Sequence, residues 1–229
     1  MKRRIRFALS TFGWLMLFMA LFMGTIRSTA YDPGLYFKYQ LEAHVLDYAG
    51  ISEEDLILLD VNLADYLFGR KDTPNAEISV FGAIQPAFNE KELIHLSDCR
   101  KLLVLTANVP LNCFLALAGV FLVLADKRGR GTAPAWIASA IIFAPIAFLG
   151  AWAVIDFNSA FHFFHKILFT NDLWLLDPRT DLLIRICPQS MFMHMGLRIA
   201  LRSAAILLGL PLLITILNCI SEKRKRKTT

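Results

Sequence analysis

Four long stretches of this chain carry no charged residue: Phe7–Ile26, Leu102–Ala125, Thr132–Ile155 and Ser203–Ile220, of 20, 24, 24 and 18 residues. A helix rises about 1.5 Å per residue, so about 20 apolar residues cross a hydrocarbon core about 30 Å thick. The composition agrees, with 56% hydrophobic residues and a mean hydropathy of +0.50, too apolar for an ordinary soluble domain of 229 residues. The last run is the shortest, and its helix is expected to begin near Ser190, with Arg198 and Arg202 in outer turns reaching for headgroups. The expected fold is therefore an all-α integral membrane protein of four transmembrane helices, spanning about 7–26, 102–125, 132–155 and 197–220. Two loops remain, 28–101 and 156–196; the first is long enough for a small extracellular subdomain.

Charge sets the expected orientation. Lys2, Arg3, Arg4 and Arg6 precede the first run, Lys127, Arg128 and Arg130 sit between the second and third, and Lys223–Lys227 follow the fourth. These segments hold half of the 24 lysines and arginines but only two of the 19 acids, Asp126 and Glu222. Basic segments stay in the cytoplasm, so both termini are expected inside and both loops outside. The net charge of +5 then calls for membrane lipids at the inner leaflet and no nucleic acid. Ser28-Thr29-Ala30 resembles a leader-cleavage site, but the apolar run before it is long and Arg27 interrupts it, so the first helix is expected to be retained.

In the first loop, Asp32-Pro33-Gly34 reads as a turn. Ser52-Glu53-Glu54-Asp55 reads as a helix start, with Gly69 as the residue that ends that helix. Glu77–Ile84 alternates weakly, as a short strand would. Asn89-Glu90-Lys91-Glu92 makes a capping-box pattern, and no breaker separates it from the second apolar run. His95 therefore lies about 10 Å above that run, near Glu92, Asp98 and Cys99 on a helix. In the second loop Phe157, Phe161 and Phe164 form one helical stripe, with His162 and His165 three apart, before Asn171, Asp172 and Trp174. Aromatic and polar groups together suit a membrane edge. Asn108, Pro110 and Asn112 fall within the second run, where polar side chains are expected to face the bundle or a cavity.

The four cysteines have no paired spacing; a bridge between Cys99 and Cys187 is one option, and a thiol–imidazole pair of Cys99 with His95 another. No metal-ligand motif is present, so neither metal nor cofactor is expected.

Phe88-Asn89-Glu90-Lys91-Glu92-Leu93-Ile94-His95-Leu96-Ser97-Asp98, followed by Phe164-His165-Lys166-Ile167-Leu168-Phe169, Asn171-Asp172 and Trp174, resembles the lipoprotein intramolecular transacylase family of Gram-positive bacteria. The resemblance extends over nearly the whole chain. It implies a cell-membrane enzyme that moves an acyl chain from the sn-2 glyceryl position of a diacylglyceryl lipoprotein to the α-amine of its N-terminal cysteine, giving the lyso form. It implies two essential histidines, His95 and His165, with Asp98, Arg100, Asn171, Asp172 and Trp174 orienting them or lining the headgroup site. It fixes no oligomeric state. Where the family has an aliphatic residue after the aspartate this chain has Cys99, so the resemblance gives Cys99 no role. Two rival readings remain at this level: acyl transfer through a Cys99 thioester, and a membrane sensor or scaffold whose outer loop binds a partner.

Overall fold

The computed structural model describes residues 3–124 and 132–227. The basic turn 126–131 and the end of the second apolar run lie outside the described residues, as does the side chain of Asn112. In chain order the elements are α1 (Arg3–Ala30), α2 (Pro33–Glu42), α3 (Val45–Ala49), α4 (Glu53–Leu67), β1 (Glu77–Val80), β2 (Ala83–Pro86), α5 (Glu90–Leu124), α6 (Ala133–Ile155), α7 (Phe157–Leu168), α8 (Leu182–Ile186) and α9 (Gln189–Lys227). Among the described residues three helices, α1, α6 and α9, are long and apolar enough to cross a membrane. The apolar run after Leu102 forms the second part of α5, continuous with the segment that bears His95.

Two compact units divide these elements. One comprises Met1–Thr25, Asn108–Gly150 and Ile199–Thr229. Its centre is Phe18, Ala138, Ile142 and Leu207, all buried, with Trp14 packed on Phe18 at 5.5 Å. Small and hydroxyl residues let its helices approach: a methyl group at Gly13 would meet the Val120 side chain at 2.8 Å, and the Thr25 and Ser203 hydroxyls share a hydrogen bond of 3.0 Å. Ser139 donates to the Leu207 carbonyl. Asn108 is exposed.

The other unit, Ile26–Ala107 with Ala151–Arg198, is not built from the first loop alone, as the sequence suggests; it gathers both loops around one core. Leu56, Leu59 and Leu63 of α4, Ile78 and Val80 of β1, Phe88, Leu96 of α5, and Leu182, Leu183 and Ile186 of α8 are all buried together. Ser52 caps α4 by accepting the Asp55 amide at 3.0 Å, and Gly69 follows its C-cap at φ +77°, as the sequence predicts. The Asp32-Pro33-Gly34 turn is instead the start of α2. Asp32 caps it by accepting from the Leu35 amide at 3.1 Å, and Pro33 occupies the first turn, where its missing N–H costs nothing. The expected single strand is a hairpin, the only strand pair among the described residues. Its two-residue turn, Phe81-Gly82, has both residues at positive φ, 49° and 85°, the geometry that matches strand twist and is usually signalled by Asn-Gly. Asn75 then bonds reciprocally with the Phe88 backbone, at 2.9 and 3.0 Å, and delivers the chain to α5.

A buried amide holds the loops together. Gln40 of α2 donates to Asp60 of α4 and to the Ile186 carbonyl of α8, each at 2.9 Å. Burial pushes the Asp60 carboxyl up to about 7, although the Gln40 hydrogen bond opposes it. An acid raised in the fold binds more protons folded than unfolded, so this unit loses stability as pH rises from about 4 towards 7, with no further loss above. Asp60→Asn keeps an oxygen for Gln40 and removes the ionisation. Thermal unfolding should show the variant stabilised at pH 8 and much less so at pH 5; a gain independent of pH would contradict this origin.

Candidate active site

The site starts from two helix N-termini. At α5 the capping box predicted from sequence is formed: the Glu92 amide donates to Asn89 Oδ1 at 3.1 Å, and the Asn89 amide to Glu92 Oε2 at 2.8 Å. That start phases the helix so that Glu92, His95 and Leu96 turn inward and are buried. At α7 Asp156 is the cap, accepting the Ser159 amide at 3.1 Å. This phase brings Phe161 and His165 onto the inner side, one turn apart, with Phe169 a turn beyond.

The two histidines meet. Their ring centroids are 6.1 Å apart at 35°, and each is 8% exposed. No hydrogen bond joins the rings directly among the described contacts; they meet as packed, tilted rings. Phe169 stands edge-on to His95 at 5.1 Å and 5.6 Å from His165. Phe161 lies 4.0 Å from His165, and Trp174, buried, packs on its other side at 4.9 Å. Trp174 therefore packs against His165, where from sequence it reads most simply as a membrane-edge anchor.

Burial sets the protonation of both rings. It lowers His95 to about 4, helped by the neighbouring His165 and opposed by the charge of Asp98. It lowers His165 as well, but the Phe161 carbonyl opposes that shift. The carbonyl can only accept, so His165 Nδ1, 2.8 Å away, carries a hydrogen and the Nε2 lone pair is left for chemistry. Both imidazoles are neutral at neutral pH, the state a proton acceptor needs.

Polar contacts fasten the second loop to α5. Asn171 donates to Asp98 at 2.9 Å, while Lys101 holds the other Asp98 oxygen at 2.8 Å. These two bonds keep the Asp98 carboxyl below its usual range, and it reaches His95 through charge alone. Lys91 donates to the Leu175 carbonyl at 2.6 Å. Glu92 accepts the Leu183 amide at 2.6 Å, and Asp181 accepts from Asn89 at 2.9 Å. Among the other residues singled out in the sequence, Arg100 turns to the first loop, bonding the Lys71 carbonyl at 3.1 Å and lying 4.8 Å over the Tyr66 ring. Asp172 is exposed beside Asn171. His194 stacks on Tyr39 at 4.6 Å and His44 begins α3, away from the pair. Phe169, read from the sequence only as part of the family segment and given no role there, and Asp181 were not singled out; the signals were the four-residue spacing Phe161, His165, Phe169 and an acid directly before the apolar run Leu182–Ile186.

Among the described residues no group of three or more His, Cys, Asp or Glu side chains converges as a metal site. Cys99 lies 3.6 Å from His95 Nε2, the pairing considered from sequence, but burial pushes its thiol up to about 12. The nucleophile of a thioester route is a thiolate, and this sulfur holds its proton. Cys99 and Cys187 are both free.

The model of the lipoprotein intramolecular transacylase family matches residues 11–192, a span that includes both histidines and the side chains packed around them. The chain belongs to that family. Among solved structures it is similar to the membrane-integral lipoprotein intramolecular transacylase Lit from Bacillus cereus, at 22% identity over 98% of this chain and 97% of that one, with a TM-score of 0.73. Two variants of the same Bacillus cereus protein, each with one histidine replaced, match with TM-scores of 0.69 at 22% identity, covering 99% and 98% of this chain and 94% and 95% of theirs. These likenesses establish the fold. A comparison with curated protein sequences finds no match. As a lipoprotein intramolecular transacylase the chain is an acyl-transferring membrane enzyme. Its buried, protonated thiol makes Cys99 dispensable for that activity: Cys99→Ala should retain transacylation within about threefold, a loss below 1 kcal/mol, and no acyl-thioester should be trapped. A loss as large as that of a missing base would restore the thioester route.

Proposed function

We propose that this enzyme carries an acyl chain from the sn-2 glyceryl oxygen of a diacylglyceryl lipoprotein to the α-amine of the same molecule's N-terminal cysteine, using His95 and His165. The observation that supports this most is the pair of buried neutral imidazoles facing each other behind aromatic walls. The setting we infer is a cell-membrane protein of four spans, with α5 supplying the second, both termini in the cytoplasm, and the histidine pair at the outer leaflet. The basic segments support that orientation, and the depth of His95 on α5, about 10 Å before the apolar run, suits an ester at the headgroup boundary.

The chemistry needs a neutral amine, and an α-amine has a pKa of about 8. His165 Nε2 takes one proton from the arriving ammonium, and the Phe161 carbonyl supports the resulting imidazolium. The amine nitrogen attacks the ester carbonyl. As the C–N bond forms, His95 accepts the second amine proton. When the tetrahedral centre collapses, the C–O bond to glycerol breaks and His165 returns its proton to the leaving oxygen. The products are the amide, the free glyceryl hydroxyl and one proton on His95, which passes to water. Amine and ester belong to one molecule, so holding them together supplies much of the acceleration, about 7–11 kcal/mol for well-oriented groups. Asp98, held by Asn171, favours the protonated His95 through its charge, and Trp174 keeps bulk water from His165.

A base and an acid that act in one sequence lose their contributions together. His95→Ala and His165→Ala should each lower lyso-form production by about 10²–10⁴, and the double variant should be little worse than either. Mass spectrometry of a lipoprotein N-terminus measures this. Normal product from both single variants would sink the mechanism.

A further inference from the structure

α7 has two unlike exposed sides. On one, Asn158, Ser159, His162 and Lys166, with Phe163 at the edge, line a shallow pocket, wide open to solvent, of about 490 Å³. On the other, Phe164, Ile167 and Leu168 are 43%, 65% and 37% exposed. A helix turns about 100° per residue, which puts His165 about 60° from His162 on one side and about 60° from Leu168 on the other. The catalytic histidine thus stands on the border between the polar and apolar sides. The pocket communicates with it through one ring: His162 stands edge-on to Trp174 at 5.2 Å, and Trp174 packs on His165 at 4.9 Å.

A diacylglyceryl lipoprotein is divided in the same way. Acyl chains lie on one side of its reacting ester and amine, and a polypeptide leaves on the other. We propose that the α7 pocket is a binding site for the peptide segment that follows the lipid-bearing cysteine; the assignment rests on the transacylase reading. The lining suits a peptide: the Asn158 amide, the His162 ring and the Lys166 ammonium are donors for backbone carbonyls, and Phe163 offers a flat apolar wall. It suits a phosphate headgroup less, because Lys166 is the lining's one fixed cation and the Asp156 carboxylate, bonded to the Ser159 hydroxyl at 2.5 Å, lies at its rim. The pocket would then fix the direction in which the substrate lies across His165.

The test uses the full-length enzyme and two synthetic substrates, a diacylglyceryl cysteine amide and the same head extended by several residues. The intact enzyme should show a KM lower by about tenfold for the extended substrate, the effect of one or two net hydrogen bonds. Asn158→Phe, which fills the pocket, and Lys166→Ala, which removes its cation, should bring the two KM values together. Both residues are exposed, so the fold should tolerate the changes. An intact enzyme that treats the two substrates alike, variants that keep the preference, or inhibition by inorganic phosphate that Lys166→Ala relieves would each overturn the site. If neither substrate is converted, it is the transacylase reading that fails.

Discussion

One carboxylate, that of Glu92, closes two helix starts that are far apart in the chain. One oxygen completes the cap of α5 at Asn89, and the other takes the Leu183 amide at the start of α8. Asp181, the residue before α8, returns the exchange by accepting from Asn89 and by pairing with Lys91. Glu92 is almost fully buried, and it holds both bonds because each donor is a backbone amide with no other helical partner. Helix N-termini favour an anion, and this one carboxyl takes an orphan amide from each of two helix starts, against the burial that raises its pKa. The segment between Phe169 and Asp181 is thereby held against α5, with Asn171 on Asp98 and Trp174 on His165. His95 and His165 are separated by a whole pair of apolar runs in the sequence; they meet because this latch sets where the second loop lies.

Much of this is legible before any coordinates, because it rests on short-range rules. The capping box at Asn89 and Glu92 and the absence of a breaker before Leu102 specify a continuous α5, and the helical phase then fixes which side His95 is on. The Phe-rich segment likewise specifies α7. The start of α2 was misread because Asp-Pro-Gly suits a turn and a helix N-terminus equally, and only the packing of Leu35 and Tyr36 decides between them. The hairpin was half read because Phe81 adopts a positive φ that its side chain does not advertise. Trp174 has two plausible homes, a membrane edge and an active-site wall, and the choice depends on the latch, which acts across the sequence.

Burial decides the chemistry as well as the geometry. The same aromatic surroundings that exclude water from the pair depress both imidazoles and raise the Cys99 thiol. The four-residue spacing of His95 and Cys99 leaves a thiol–imidazole pair open as one option, and the structure sets the two 3.6 Å apart. In a dry site without a cation beside it, the charge separation that activation needs is disfavoured, and both partners stay neutral. The proposed mechanism accordingly asks only for proton transfer between neutral rings and a substrate that brings its own nucleophile.

That is the central claim, and the fate of a labelled chain tests it most directly. A diacylglyceryl lipopeptide bearing an isotopic label only in its sn-2 acyl chain is mixed with an unlabelled lipopeptide distinguishable by peptide mass, and the products are read by mass spectrometry. The account predicts that every labelled chain ends on the α-amine of the peptide that carried it, with none crossing to the other peptide or resting on the enzyme. Labelled amide on the second peptide, or a labelled acyl-enzyme, would contradict it.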